Sequence, residues 1–206
     1  MQDPDAEGLP IGLGRADAAS ADQDRLHQAG RSALIVAAGL PMLKLVPIPV
    51  VDLRLLALAQ VPATLALRAL AEAMPPPFVA DRSLQQLGAG KPLAWCAPFY
   101  MVRNDDAAIV GSCGFKDMPK QGCVEIGYGV APQARRQGMA VAAVAQLLAL
   151  ANASDEVREV LAQVSPANVA STRVVQRLGF LPCGQQLDHE GEMLVQWVCR
   201  MGQRVA

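Results

Sequence analysis

Two arginines, a glutamine and a glycine stand where a strand-like stretch gives way to an apolar helix. The stretch YGVAPQARRQGMAVAAVAQLLALA covers residues 128–151, and ARRQGMA is its junction. A helix N-terminus carries unpaired N–H groups and partial positive charge, so it can bind phosphates. Gly138 allows close approach of the backbone to a ligand, while Arg135 and Arg136 add charge and donors. The junction is therefore suited to hold a pyrophosphate.

The commonest phosphate-binding motifs are absent from this stretch. It contains no GxxxxGK[ST], which excludes a P-loop, and no GxGxxG. The strands before it read as an antiparallel meander, which argues against a dinucleotide-binding fold. Taken alone, Arg-x-x-Gly-x-Ala also describes an ordinary helix start with exposed arginines.

The elements before the junction must position it. MLKLVPIPV (42–50) predicts a first strand, which its prolines confine to an edge. DLRLLALAQVPATLALRALAEAM (52–74) predicts one or two helices, capped by Asp52, broken at Pro62 and ended by PPP (75–77).

Strands then follow one another along the chain. LAWCAPFYMVR and AAIVGSCGFK flank a turn, NDD, and PKQG leads into CVEIGYGV. After the junction helix, which ends near Asn152, REVLAQV is a strand, and Asn168 caps a helix that closes at Gly179. EMLVQWVCRM is the last strand, with a short strand near Phe180. This order predicts a mixed α/β fold around one sheet.

Composition limits the classes of function. The chain has 206 residues, 52% of them hydrophobic, and a formal net charge of −1, so nothing indicates a nucleic-acid partner. The apolar runs fall short of about 20 residues, so we expect no membrane segment. Five cysteines without CxxC spacing fit buried thiols in a reducing, cytoplasmic setting, and no metal site is expected. We expect residues 1–32 to be a poorly ordered extension and residues 33–206 to be a single domain.

Two motifs in the correct order resemble the GNAT superfamily of N-acetyltransferases. That family has a [Q/R]-x-x-G-x-[G/A] signature after its fourth strand, which Arg135, Gly138 and Ala140 match. SPANVASTRVVQRLGF resembles the N-x-x-S…LGF segment of the branch that includes ribosomal-protein N-terminal acetyltransferases. The matching residues there are Asn168, Ser171, Leu178, Gly179 and Phe180. The resemblance extends over residues 42–200.

The resemblance implies a GNAT fold that binds acetyl-CoA. Its single twisted mixed sheet would have an antiparallel N-terminal meander, splayed central strands and helices on both faces. Pantetheine would enter the gap beside residues 128–130, the pyrophosphate would meet the N–H groups of residues 136–141, and Asn168 would bind the pantetheine arm. The implied binding residues are Tyr128, Gly129, Val130, Arg135, Arg136, Gln137, Gly138, Met139, Ala140, Val141 and Asn168.

The implied reaction is acetyl transfer to a primary amine, either a protein N-terminus or a small molecule. Glu125 matches the family's glutamate-bearing strand and is the candidate base, although it could be a surface carboxylate of an alternating strand. The N–H of Val130 would stabilise the oxyanion. Ser171 matches the serine expected near the leaving thiolate, although it could also bond its own helix backbone.

Two departures from the family pattern keep a second interpretation open. Val175 stands where many members have a tyrosine acid, and Ala142 where close relatives have a glutamate. The alternative is a non-catalytic CoA-binding sensor or interaction module of the same fold. Apolar surface on the first helices could mark a homodimer contact.

Overall fold

The computed structural model describes residues 42–188 and 190–202, and their seven strands form one sheet. The strands are β1 (Leu43–Pro47), β2 (Phe99–Arg103), β3 (Ile109–Phe115), β4 (Cys123–Val130), β5 (Glu159–Val164), β6 (Leu181–Leu187) and β7 (Met193–Arg200). The helices are α1 (Val50–Ala57), α2 (Pro77–Gly88), α3 (Leu93–Cys96), α4 (Met139–Asn152) and α5 (Val169–Arg177). Short 3-10 turns cover Ala63–Leu65 and Pro132–Ala134.

The strand order is β1-β2-β3-β4-β5-β7-β6, and every neighbouring pair is antiparallel except the parallel pair β4–β5. The predicted mixed α/β sheet with an antiparallel N-terminal meander is therefore confirmed. β1 lies at one edge, where the prolines of its segment do not interrupt a central ladder. The predicted extension, residues 1–32, lies outside the described residues.

Helices cover both faces of the sheet. Successive side chains of a strand point to opposite faces, and those of β2 enter two different hydrophobic clusters. Met101 joins the cluster that contains α4, whereas Tyr100 and Val102 join the cluster that contains α1 and α2 residues.

Helix α4 is the most deeply embedded helix of the main core. Its buried positions recur at helical spacing: Met139, Ala143, Val144, Leu147, Leu148 and Ala151. Within the helix, only Ala149 and Leu150 are exposed. Burying a leucine or valine side chain stabilises a fold by about 1.5–3 kcal/mol, so this packing fixes the helix and its N-terminus against the sheet.

The segment before β2 differs from the sequence-based expectation. α1 ends at Ala57, ahead of Pro62, and Asp52 does not cap it; its carboxylate instead accepts a hydrogen bond of 3.1 Å from the Tyr100 hydroxyl. The PPP run begins α2 rather than ending a helix. Proline is well suited to the first helical position, because its missing N–H would have no partner there.

Two strand boundaries were also wrong. LAWC forms the short helix α3, so β2 begins only at Phe99. The short strand expected near Phe180 is the seven-residue strand β6. All seven residues of β6 are exposed, so no alternation of buried and exposed positions marked it in the sequence.

Gly111 is a packing requirement of the central strands. A Cβ at this position would lie 2.2 Å from the Gly129 carbonyl oxygen, which is backbone and cannot easily move. We expect Gly111→Ala to lower the free energy of unfolding by about 1–3 kcal/mol because of this overpacking. Chemical denaturation measures the change. Gly88→Ala is the control, since nothing lies within 4 Å of a Cβ there; equal losses in the two variants would contradict the expectation.

Candidate functional site

Strands β4 and β5 separate partway along their length. Their pairing runs from Cys123–Glu159 to Ile126–Ala162 and stops there, although β4 continues to Val130. On its other side β4 stays paired with β3 up to Val130. The second half of β4 therefore presents one backbone edge to a gap, which is the splayed centre that the resemblance implied.

The backbone groups that face this gap can be identified from the ladder. The Glu125 carbonyl accepts a bond from Lys116 N–H, and Ala131 N–H donates to Val110 carbonyl, so both groups point toward β3. Backbone groups alternate between the two sides of a strand. The amides of Tyr128 and Val130 accordingly point into the gap.

The turn between β4 and α4 holds two residues in the left-handed region. Arg136 has a φ of 61°, and Gly138, the residue that caps α4, has a φ of 79°. A Cβ on Gly138 would meet only the Met42 side chain, at 3.7 Å or more. Glycine is therefore favoured by the backbone conformation rather than by lack of space.

The N-terminus of α4 leaves backbone donors without partners inside the helix. The first intrahelical bond runs from Ala142 N–H to the Gly138 carbonyl, and no side chain caps the helix. The N–H groups of Met139, Ala140 and Val141 therefore have no acceptor within it. Together with the helix dipole, such groups are suited to bind an anion.

The side chains of the turn stabilise it rather than cap the helix. Arg135 donates from Nε to the Val130 carbonyl at 3.1 Å, which joins the turn to the end of β4. Gln137 donates from Nε2 to the Gln133 carbonyl at 3.0 Å. Arg136 is exposed beside them.

Helix α5 brings two predicted residues to the same gap. Asn168 caps the helix, and its Oδ1 accepts the Ser171 N–H at 3.0 Å. The Tyr128 hydroxyl donates to the Ser171 carbonyl at 3.3 Å, across the gap from β4 to α5. Burial raises the pKa of Tyr128, so its phenol is protonated at neutral pH. All three residues line a cleft of about 160 Å³.

Glu125 lies on the other face of β4 from Tyr128. Its carboxylate forms an ion pair with the Lys116 ammonium, and its side chain is 24% exposed. Glu125 itself does not line the cleft, but Lys116 does. The Glu125 carboxylate is therefore linked to the lining of the cleft through its ion pair with Lys116.

Lys116 was missed by the sequence analysis. The signal was present, because PKQG closes a hairpin in which Lys116 and Glu125 come opposite each other, as the backbone bond between them shows. Val175, the position of the absent tyrosine, is fully buried in the main core. Trp95 packs edge-on against Phe115, with ring centroids 4.9 Å apart.

The described residues offer no cluster of three or more histidine, cysteine, aspartate or glutamate side chains that could hold a metal. All five cysteines are free thiols. Burial raises the pKa of Cys113 and raises that of Cys199 to about 11, so both are protonated. No helix in the described ranges is long and apolar enough to cross a membrane.

Comparison with known proteins identifies the family. The model of the acetyltransferase (GNAT) domain matches residues 48–181, which is more than half of the chain. The chain therefore belongs to the GNAT acetyltransferase family, and the predicted family and fold are confirmed.

A curated relative is the uncharacterized N-acetyltransferase YjdG of Bacillus subtilis (strain 168), which is 29% identical over 99 residues. That match covers 48% of this chain and 56% of the relative, so it spans little more than half of that protein.

Solved structures share the fold at low sequence identity. A spermidine N-acetyltransferase SpeG chimera from Vibrio cholerae and hSSAT has a TM-score of 0.56 at 13% identity, over 77% of this chain and 95% of its own. A putative ribosomal-protein-serine acetyltransferase from Vibrio cholerae has a TM-score of 0.55 at 13% identity, over 78% and 95%. An aminoglycoside acetyltransferase in complex with coenzyme A has a TM-score of 0.54 at 17% identity, over 77% and 94%.

The cap of α5 can be tested by substitution. Asn168→Ala removes the oxygen that accepts the Ser171 N–H, and we expect it to lower the free energy of unfolding by about 1 kcal/mol. Asn168→Asp keeps an accepting oxygen and should lose much less. Denaturation of both variants provides the measurement, and an equal loss for alanine and aspartate would show that the cap is not the cause.

Proposed function

We propose that the protein transfers an acetyl group from acetyl-CoA to a primary amine. The observation that carries this proposal is the open edge of β4 beyond Ile126, which leads directly to the uncapped N-terminus of α4. The first feature offers hydrogen bonds to an extended pantetheine chain, and the second offers N–H groups to a pyrophosphate. Coenzyme A carries both groups in this order.

The binding residues follow from this arrangement. The backbone of Tyr128, Gly129 and Val130 would pair with pantetheine, and Asn168 would bind it from α5. The pyrophosphate would be held by the backbone N–H groups of residues 136–141. These residues are Arg136, Gln137, Gly138, Met139, Ala140 and Val141. Arg135 is bonded to Val130 and would add charge at the rim.

Acetyl transfer requires a neutral amine, a stabilised oxyanion and a thiolate that can leave. The amine nitrogen attacks the thioester carbon, the C–S bond breaks, and the amine loses a proton. We propose that Glu125 receives this proton through a water molecule, since its carboxylate already forms an ion pair with Lys116. The N–H of Val130 points into the gap and would stabilise the oxyanion.

The leaving thiolate lies near Ser171 in this proposal. The Tyr128 hydroxyl is already bonded to the Ser171 carbonyl, which supports a positioning role for this tyrosine. A thiol has a pKa near 8.5, so a thiolate leaves without a strong acid. The buried Val175 is therefore compatible with catalysis.

An amine acceptor fits the proteins that share the fold. Three of them are a spermidine N-acetyltransferase chimera, an aminoglycoside acetyltransferase and a putative ribosomal-protein-serine acetyltransferase. The five free thiols support a reducing, cytoplasmic location, and we propose that residues 33–206 form the catalytic domain.

A non-catalytic CoA-binding module is the second candidate. The ion pair of Glu125 with Lys116 favours it, because a carboxylate held by an ammonium is less available as a base. Coenzyme A binding without turnover by any amine would support this candidate over the enzyme.

Substitution of the candidate catalytic residues tests the enzyme. We expect Glu125→Gln to lower kcat by about 10²- to 10⁴-fold, the usual contribution of general acid–base catalysis, with little change in acetyl-CoA affinity. Ser171→Ala should lower kcat less, since the thiolate leaves readily. Acetyl-CoA consumption with a panel of amines is the measurement. Full activity of Glu125→Gln would remove this residue from the mechanism.

Gly138 tests the pyrophosphate site. Gly138→Ala places a Cβ at a φ of 79°, which costs about 1–2 kcal/mol, so the turn should relax and misalign its N–H groups. We expect the Kd for coenzyme A to rise about tenfold or more. Gly90→Ala is the control, because Gly90 has a φ of 77° and open space around it. It should lose similar stability but keep its calorimetric Kd, and an equal Kd in both variants would contradict the assignment.

A further inference from the structure

Helix α2 carries two polar side chains with unsatisfied buried atoms. Among the described residues, Nε of Arg82 and Oε1 of Gln86 are buried without a hydrogen-bond partner. The two residues are four apart, so they lie on the same face of the helix. The amide nitrogen of Gln86 donates to the Lys116 carbonyl at 3.0 Å, which places this face beside the end of β3.

The charges around Arg82 leave its guanidinium without an ion pair. Glu125 and Asp117 are the carboxylates that interact with it electrostatically. Glu125 is paired with Lys116, while Asp117 is paired with Lys91 at 2.6 Å and with Lys120 at 2.8 Å. No ion pair is formed by Arg82 within the described part of the chain. Burial lowers its pKa, but an arginine keeps its proton at neutral pH.

We name this group the α2 cluster: Arg82, Gln86, Lys91, Lys116, Asp117, Lys120 and Glu125. It holds four cations and two carboxylates, and thus has an excess of positive charge. The Arg82 guanidinium is only half-buried and has no ion pair among the described residues, so its terminal N–H groups remain available to a carboxylate.

The α2 cluster borders the gap between β4 and β5. Lys116 lines the cleft, and its Cε lies 3.6 Å from the position of a Cβ on Gly127, at the start of the gap. In the proposed function, Tyr128 and the N-terminus of α4 contact acetyl-CoA, the acetyl donor, on the other face of β4. The acceptor amine is therefore free to approach from the face of the α2 cluster.

We propose that the acceptor is a small amine with a carboxylate next to its amino group, and that Arg82 binds this carboxylate. The proposal rests on the acetyl-transfer function proposed above. The terminal N–H groups of the half-buried Arg82 guanidinium would donate to the carboxylate. Arg82 is then a specificity-determining residue rather than a catalytic one.

The same arrangement disfavours polycationic acceptors. A polyamine or an aminoglycoside would meet excess positive charge at the α2 cluster. An acidic side chain does lie beside the cleft, since the hydroxyl of the lining residue Ser165 donates to the Glu192 carboxylate. That contact joins β5 to β7, whereas the α2 cluster lies at α2 and β3.

A matched panel of amines tests the proposal without any substitution. Acetyl-CoA consumption is measured for free L-amino acids, for the corresponding L-amino acid amides, and for spermidine. The neighbouring carboxylate raises the pKa of an ammonium, so amine basicity alone favours the amides at neutral pH. We nevertheless expect kcat/KM to be about 10- to 100-fold higher for the best free amino acid than for its amide.

Substitution of Arg82 identifies the residue responsible. Arg82→Gln should raise KM for the free amino acid about 10- to 100-fold, change KM for its amide little, and leave the Kd of acetyl-CoA unchanged. Arg82→Lys should restore part of the loss. Arg177→Gln, at an exposed arginine in the last turn of α5, is the control and should behave as wild type.

The outcomes separate this inference from the proposed function. Preference for amides or spermidine over free amino acids would overturn the inference and leave acetyl transfer intact. Acetyl-CoA binding without turnover by any amine would overturn both. If Arg82→Gln raises KM equally for free amino acids and for their amides, Arg82 does not bind the carboxylate.

Discussion

Parallel pairing between β4 and β5 ends at Ile126 and Ala162, and the candidate site depends on this ending. A strand inside a sheet normally satisfies its backbone groups on both sides. Beyond Ile126, β4 keeps only its β3 partner, so a run of polar backbone faces the gap. The gap is also open to both faces of the sheet.

The two sides of this opening have different chemistry because strand side chains alternate. Tyr128 points toward α5, where its hydroxyl bonds to the Ser171 carbonyl, and the N-terminus of α4 lies beyond the end of the strand. Glu125 lies on the opposite face of β4, where it forms an ion pair with Lys116 within the α2 cluster. An acetyl donor bound on one face and an amine acceptor bound on the other could meet only at the gap.

Core packing fixes this arrangement with little help from side-chain caps. Helix α4 is held by a buried apolar stripe, so its N-terminal N–H groups stay in place without a capping residue. Gly138 adopts the left-handed conformation that such a start requires. Gly111 lets β3 and β4 approach closely behind the gap. Stability and the capacity to bind an anion therefore arise from the same elements.

The sequence alone determined the elements whose signals are local. The apolar period of α4, its glycine, the Asn168 cap and the strand CVEIGYGV were all predicted, since each depends on neighbouring residues. The first helix of residues 50–96 was predicted, but the expectations for the PPP run and for LAWC were wrong, because proline both starts and stops helices. Only the tertiary structure decided which charges lie near each other, since Arg82 and Glu125 are far apart in the chain and interact electrostatically only when α2 packs over the sheet.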